Sequence, residues 1–510
     1  MQHLLAQSYR DLPASLSSAC SPTPVKAPFL FASNTSLAET LQIDLDWFAS
    51  ADAAEFFGGA SAHERYQGRA TAYAGFQLGQ YNPQLGDGRA LLLGELQDVA
   101  GQTWEIQLKG AGPTPFSRGG DGRSAIGPVI REYLISEWMH SQNIPTTRAL
   151  GALTTGEPVI RDRILPGGIL IRVAPSHIRF GSFQYAAARQ DADALKALVE
   201  LSFERHYPTH PPAQRTALTL LELVIDRTAE LVARWLSLGF IHGVMNTDNM
   251  SVGGLTIDYG PCAFQDDFQW ERVFSSIDTR GRYRFDNQPP IALWNLARFA
   301  ESLLPMLDDN ESAAISLAEQ ALASFESQFN AYRETVFNQK IGMLGAADTY
   351  QEITSPLLSL MQDSGADFTL SFAYIEALTR DHDERITLLE RLIPQHSALK
   401  RFWQSHLAHA AAYATYVTSA TSATSATSAT SATSATSATS ATSATSAEVN
   451  PLRIPRNHQI EQVIKAAETG DFAPFSALER ALLSEISEHL EEDIRGPKPQ
   501  EWLNRTFCGT

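Results

Sequence analysis

The chain has 510 residues, 44% of them hydrophobic, enough for a sizeable core in one large enzyme fold or in two to four average domains. Its net charge of −18, without a local basic cluster, argues against nucleic acid or an anionic membrane as the main partner. Three cysteines, Cys20, Cys262 and Cys508, lie far apart without CxxC spacing, which argues against a disulfide framework or zinc site and points to a reducing compartment.

At the N-terminus, MQHLLAQSYRDLPASL has neither a basic region leading into an apolar core nor an Arg-rich, acid-free presequence, and no run approaches 18 apolar residues. A cytoplasmic protein is expected. Residues 1–69 read as an N-terminal extension, followed over 70–185 by a strand-rich lobe. In QLGDGRALLLGE, Gly86, Gly88 and Arg89 form a turn able to offer backbone amides and a guanidinium to phosphate. WEIQLKG alternates as a half-buried strand, with Trp104, Ile106 and Leu108 on one face and Glu105, Gln107 and Lys109 on the other. The Gly-rich stretch GAGPTPFSRGGDGRSAIGP adds Asp121 and Gly122 as candidate nucleotide contacts.

PVIREYLISEWMH predicts a helix with Pro128 in its first turn, carrying Glu132 and Glu137. Either glutamate could pair with Lys109; spacing does not choose. VIRDRILPGGILIRVA predicts two strands joined by a Pro-Gly-Gly turn. Arg172, among aliphatics, and Arg179, seven residues on, have donor forks suited to phosphate, with salt bridges to carboxylates such as Asp162 as the alternative.

A helical lobe is expected over 186–417, including a long amphipathic helix in TALTLLELVIDRTAELVARWLSLGF that Gly239 can end. GFIHGVMNTDNMSVGGLTIDYGP follows, read as a polar loop, a Gly253-Gly254 hairpin and a short strand ending in Asp-Tyr-Gly. It resembles the protein kinase loop H-R-D-x-x-x-x-N followed by D-F-G, which places Asn249 and Asp258 as magnesium ligands. Val244 stands where a kinase keeps its hydroxyl-orienting Asp, and the nearest carboxylate is Asp248. Residues 418–447 repeat TSA ten times, matching neither helix nor strand period, and read as a disordered linker spanning roughly 30 Å. A C-terminal segment, 448–510, predicts further helices and a tail bearing Cys508.

GDGRA (86–90), QLKGAGPTPFSR (107–118), IREYL (130–134), RVAPSHIRFG (172–181), HGVMNTDNMS (242–251), TIDYGP (256–261) and GRYRFDNQP (281–289) together resemble the selenoprotein O family, whose bacterial members carry the name YdiU. The resemblance implies an α+β, kinase-like bilobal fold that binds ATP inverted and moves AMP to Ser, Thr or Tyr hydroxyls of proteins. It implies Asp248 as proton acceptor and Asn249 and Asp258 as ligands of magnesium, or of manganese as the alternative ion. Gly86, Gly88, Arg89, Lys109, Asp121, Gly122, Arg172, Arg179 and Asp258 would bind ATP, and Glu132 would pair with Lys109. It also implies a redox role for Cys508; Phe274 stands where relatives can carry its partner cysteine, leaving Cys262 as substitute. A conventional phosphotransferase and a non-catalytic nucleotide-binding pseudokinase remain the competing readings.

Overall fold

A computed structural model describes residues 8–60, 68–343, 349–406, 449–483, 491, 494–498, 501, 503, 505 and 506. The expected linker 418–447 and Cys508 lie outside them. The fold is α+β. Its strands before residue 175 are β1 (Ser17–Cys20), β2 (Phe29–Ser33), β3 (Gly68–Thr71), β4 (Gly75–Gln77), β5 (Gln80–Asn82), β6 (Ala90–Gln97), β7 (Thr103–Lys109), β8 (Ser124–Ala125), β9 (Arg148–Ile160) and β10 (Ile164–Ala174). One sheet runs β1-β3-β6-β7-β10-β9-β2, with β8 on β10, while β4 and β5 form a separate two-stranded hairpin. The central pairs β6–β7, β7–β10 and β10–β9 are antiparallel.

Helix Ile126–Ser141 packs across β9 and β10, and almost every residue on it is buried. Its outer side is covered by helices Asn457–Glu468 and Ala473–Leu483. Arg131 meets Glu461 at 2.6 Å, Tyr133 OH donates to Glu479 at 2.8 Å, and Trp138 Nε1 donates to Arg453 O at 3.1 Å. The long helix Ala217–Ser237 begins at Thr216, whose hydroxyl accepts from Thr219 N, and its chain reverses at Gly239, where φ is +67°. Helices Gln288–Leu307 and Phe325–Lys340 pack on it. No described helix is long and apolar enough to cross a membrane.

Three local expectations are corrected. The β9–β10 connection is Arg161-Asp162-Arg163, because Ile164 pairs with Ile160; Pro166-Gly167-Gly168 lies inside β10 at a register shift. The glycines serve close approach there: a Cβ on Gly167 would come within 2.4 Å of Thr155 Oγ1. Gly253-Gly254 does not close a hairpin either. Ser251 bridges to Arg179 and Thr256 to Thr146, so the two arms bind different neighbours. Finally, β7 is buried on both faces. Its polar row is covered from the cleft side: Glu105 accepts from His177 N at 2.8 Å, and Gln107 Oε1 accepts from Arg172 at 3.0 Å.

Candidate active site

Beneath the sheet, short β11 (Phe240–Ile241) pairs with β12 (Ala263–Phe264) and closes the base of the loop 242–262. Buried His242 pins this loop. Its Nδ1 accepts from Val244 N at 3.4 Å, which leaves Nε2 protonated to donate to Ile257 O at 3.0 Å. Asn295, on helix Gln288–Leu307, donates to Met245 O at 2.9 Å. The loop turns through a short 3-10 segment, Thr247–Asn249, against the β4–β5 hairpin. Phe76 N donates to Thr247 Oγ1 at 2.8 Å, Thr247 donates to Gln184 at 2.7 Å, and Leu78 N donates to Asn246 Oδ1 at 3.1 Å.

Sheet and loop face each other across a cleft of about 570 Å³. At its centre is an ion cluster. Lys109 Nζ lies 2.6 Å from Glu132 and 2.5 Å from Asp258. Arg172 contacts Glu132 with Nε at 2.8 Å and Asp258 with Nη2 at 2.6 Å, and Arg179 Nη1 lies 2.6 Å from the other oxygen of Asp258. Burial alone would raise Asp258, but Arg172, Lys109 and Arg179 outweigh it and hold the carboxyl well below its usual range. Glu132 is likewise lowered against its burial by Arg172 and Lys109. Three cations thus face two carboxylates, an excess of positive charge suited to a polyphosphate.

Asp248 has the opposite environment. It is only 7% exposed, one carboxylate oxygen has no hydrogen-bond partner, and the other receives a long 3.5 Å contact from Gln77. Burial pushes its pKa up to about 6, against the pull of Arg179. Arg179 also donates to Asp248 O at 2.6 Å, fixing the backbone beneath the carboxylate. Gly75 fits against it: a Cβ there would lie 2.4 Å from Asp248 Oδ1.

The residue pattern matches a sequence model of the family described as protein adenylyltransferase SelO over residues 3–483. The chain is 46% identical over 512 residues to the protein nucleotidyltransferase YdiU of Rhizobium johnstonii, covering 99% of this chain and 96% of that one. It is 45% identical to the namesake of Rhodopseudomonas palustris strain BisB5 over 99% and 98% of the two chains, and 44% identical to that of Agrobacterium fabrum over 99% of each. The chain belongs to the SelO family. Its activity is that of a protein adenylyltransferase, for which ATP is the substrate.

In this SelO-family chain, Gly86, Gly88, Arg89, Lys109, Asp121, Gly122, Arg172, Arg179, Asp248, Asn249 and Asp258 all line the one cleft. Glu132 stands behind it, on Lys109 and Arg172, whereas Glu137 turns away to Arg148 at 2.7 Å and Asn34 at 2.7 Å. Asp162 is not a partner of Arg172. Gly86 and Gly122 have φ of +71° and +64°, and a Cβ at Gly122 would sit 2.1 Å from Gly112 O. Asp121 is bound by Arg161 at 2.8 and 3.1 Å, an interaction that lowers its pKa. Cys262 is fully buried and its thiol donates to Tyr259 O at 3.2 Å.

Sequence reasoning missed Gly75, Gln77, Asn246 and Thr247, which shape the surroundings of Asp248, and Asp87 and Arg161, which line the same cleft. Asp87 is buried and accepts from Thr71 N at 3.0 Å and Thr71 Oγ1 at 2.7 Å. Its position inside GDGRA was a signal; the role of Gly75 had none within one sequence.

Proposed function

We propose that this adenylyltransferase works on a protein-kinase-like, two-lobed fold, with residues 70–185 and 186–417 as the lobes, and moves AMP from inverted ATP to a Ser, Thr or Tyr hydroxyl of an acceptor protein. The observation that carries this reading is Asp248: a buried carboxylate lining the cleft beside three cations, one oxygen without a partner against Gly75 and the other held only by a long contact from Gln77, where Val244 replaces the kinase Asp. Asp248 takes the proton of the acceptor hydroxyl. The oxygen attacks the α-phosphorus, the bond from that phosphorus to the bridging oxygen of the β-phosphate breaks, and pyrophosphate leaves. Lys109, Arg172 and Arg179 neutralise charge that accumulates on the phosphates, and Glu132 keeps the first two oriented. Gly86, Gly88, Arg89, Asp121 and Gly122 complete the ATP contacts.

The donor set suits magnesium or manganese. Asn249 donates its Nδ2 to Val244 O at 3.0 Å, leaving its carboxamide oxygen for a cation, and Asp258 is ionised. Among the described residues no three His, Cys, Asp or Glu side chains converge as a metal cage, so a hard ion here would draw on Asn249, Asp258, phosphate and water. When bound it supplies additional neutralisation of phosphate charge.

The test is incubation with α-labelled and with γ-labelled ATP. The expected result is α label on protein with release of pyrophosphate, lost in Asp248→Asn. Retention of the γ label alone would make the chain a phosphotransferase; Asp248→Asn and Asp258→Asn variants with undiminished transfer would remove both residues from the chemistry.

A further inference from the structure

We propose that the β4–β5 hairpin is the acceptor-facing lip of the cleft, and that Leu78, with Ile277, selects a polypeptide segment carrying a large apolar residue next to the hydroxyl that is modified. The inference rests on the reading of Asp248 as proton acceptor. Two residues, Leu78 and Gly79, connect β4 to β5, and their φ angles are +50° and +84°. Both are positive, as in the type I′ turn, whose first position ordinarily takes Asn, Asp or Gly. A leucine there is unfavourable for the backbone, and its side chain gains no compensating burial: Leu78 is 41% exposed. Local rules are broken in this way where a side chain has work outside the fold.

The position explains the work. Leu78 and Ile277, itself 44% exposed, line the same cleft as Asp248. The two lips are joined behind the surface. Asp278, next to Ile277, accepts from Tyr283 N at 2.7 Å, while Tyr283 OH donates to Asn246 at 2.6 Å and accepts from Leu78 N at 3.2 Å. The catalytic loop, the hairpin tip and Ile277 therefore form one connected unit. A polypeptide whose hydroxyl reaches Asp248 enters a cleft whose lining includes both of these exposed apolar side chains. Gln77, one residue before the tip, touches the Asp248 carboxylate itself, so the lip is continuous with the reacting group.

The experiment uses the full chain, α-labelled ATP and synthetic peptides that hold one serine, threonine or tyrosine flanked either by leucine or by glutamine. Wild type is expected to favour the leucine-flanked peptide by about ten-fold in kcat/KM. Leu78→Asn and Ile277→Gln should erase that preference and leave both the KM for ATP and transfer to the glutamine-flanked peptide unchanged. Asn suits the positive φ, so Leu78→Asn should retain or raise Tm. Wild type that labels the peptides without preference, or not at all, overturns the inference, as does a variant whose KM for ATP rises equally with both peptides, since the lips would then hold nucleotide. Peptide labelling that persists in Asp248→Asn would instead defeat the underlying assignment of Asp248.

Discussion

Asp248 combines two consequences of burial that pull in opposite directions. Its carboxyl titrates near 6 rather than 3.8, because desolvation outweighs the charge of Arg179. In the proposed role of proton acceptor the ionised form is the active one, so kcat is expected to rise about ten-fold per pH unit below about pH 6 and level off above it, read from a pH–rate profile at saturating ATP. For stability the folded chain holds this proton more tightly than the unfolded one. The group therefore favours folding below about pH 4, and this benefit is lost as pH rises through about 6, a difference on the order of 3 kcal/mol. Asp248→Asn should accordingly abolish transfer while raising Tm over wild type at about pH 8, with the gain vanishing near pH 4. Gly75 offers a subtler test. An alanine Cβ would press on Asp248 Oδ1 from 2.4 Å, so Gly75→Ala should lower kcat about 100-fold with little change in KM for ATP.

At the scale of elements, helix Ile126–Ser141 sends two glutamates to different strands of one sheet, Glu132 to the cleft-lining ends of β7 and β10 and Glu137 to the start of β9. Glu132 reaches Lys109 and Arg172 inside the cleft; Glu137 reaches Arg148 and Ala149 N. Glu132→Ala leaves Lys109 and Arg172 with Asp258 as their remaining carboxylate, and Glu137→Ala takes the carboxylate from half-buried Arg148, so each should destabilise by about 2 kcal/mol in urea titrations. Transfer measured well below the melting temperature should collapse only in Glu132→Ala. The alternation of β7, the helix and the long Ala217–Ser237 helix were legible because one periodicity dominates each. The polar row of β7 was misjudged as half-exposed because Arg172 and His177, which cover it, arrive about seventy residues later in the chain. The Pro-Gly-Gly turn was misplaced for a related reason: glycine signals a tight turn and a tight packing contact alike, and only the neighbour at Thr155 distinguishes them. Within the cleft, residues in long motifs could be identified, whereas Gly75 and Leu78 matter through partners distant in sequence.

Across the whole molecule, the C-terminal segment is built into the enzyme rather than appended to it. Arg456 is fully buried, with Nη1 at 2.5 Å from Asp266 and 2.8 Å from Asp367, and Nη2 donating to Ile494 O at 2.9 Å. Asp266 already sits at about 6 through burial and the proximity of Asp367, even beside this arginine. Arg456→Ala would leave the two acids facing each other and should cost about 3–5 kcal/mol, visible as a lower urea midpoint. Thr506 extends the same connection to the cleft floor: it donates to Pro261 O, its backbone pairs with the chain at Ser275, and Phe274 O accepts from Thr506 N at 2.7 Å. Pro261 precedes Thr506 by 245 residues. A ribosome must therefore deliver nearly half the polypeptide after the Asp258 loop emerges before that floor can be stitched shut, which delays assembly of the complete cleft until late in synthesis.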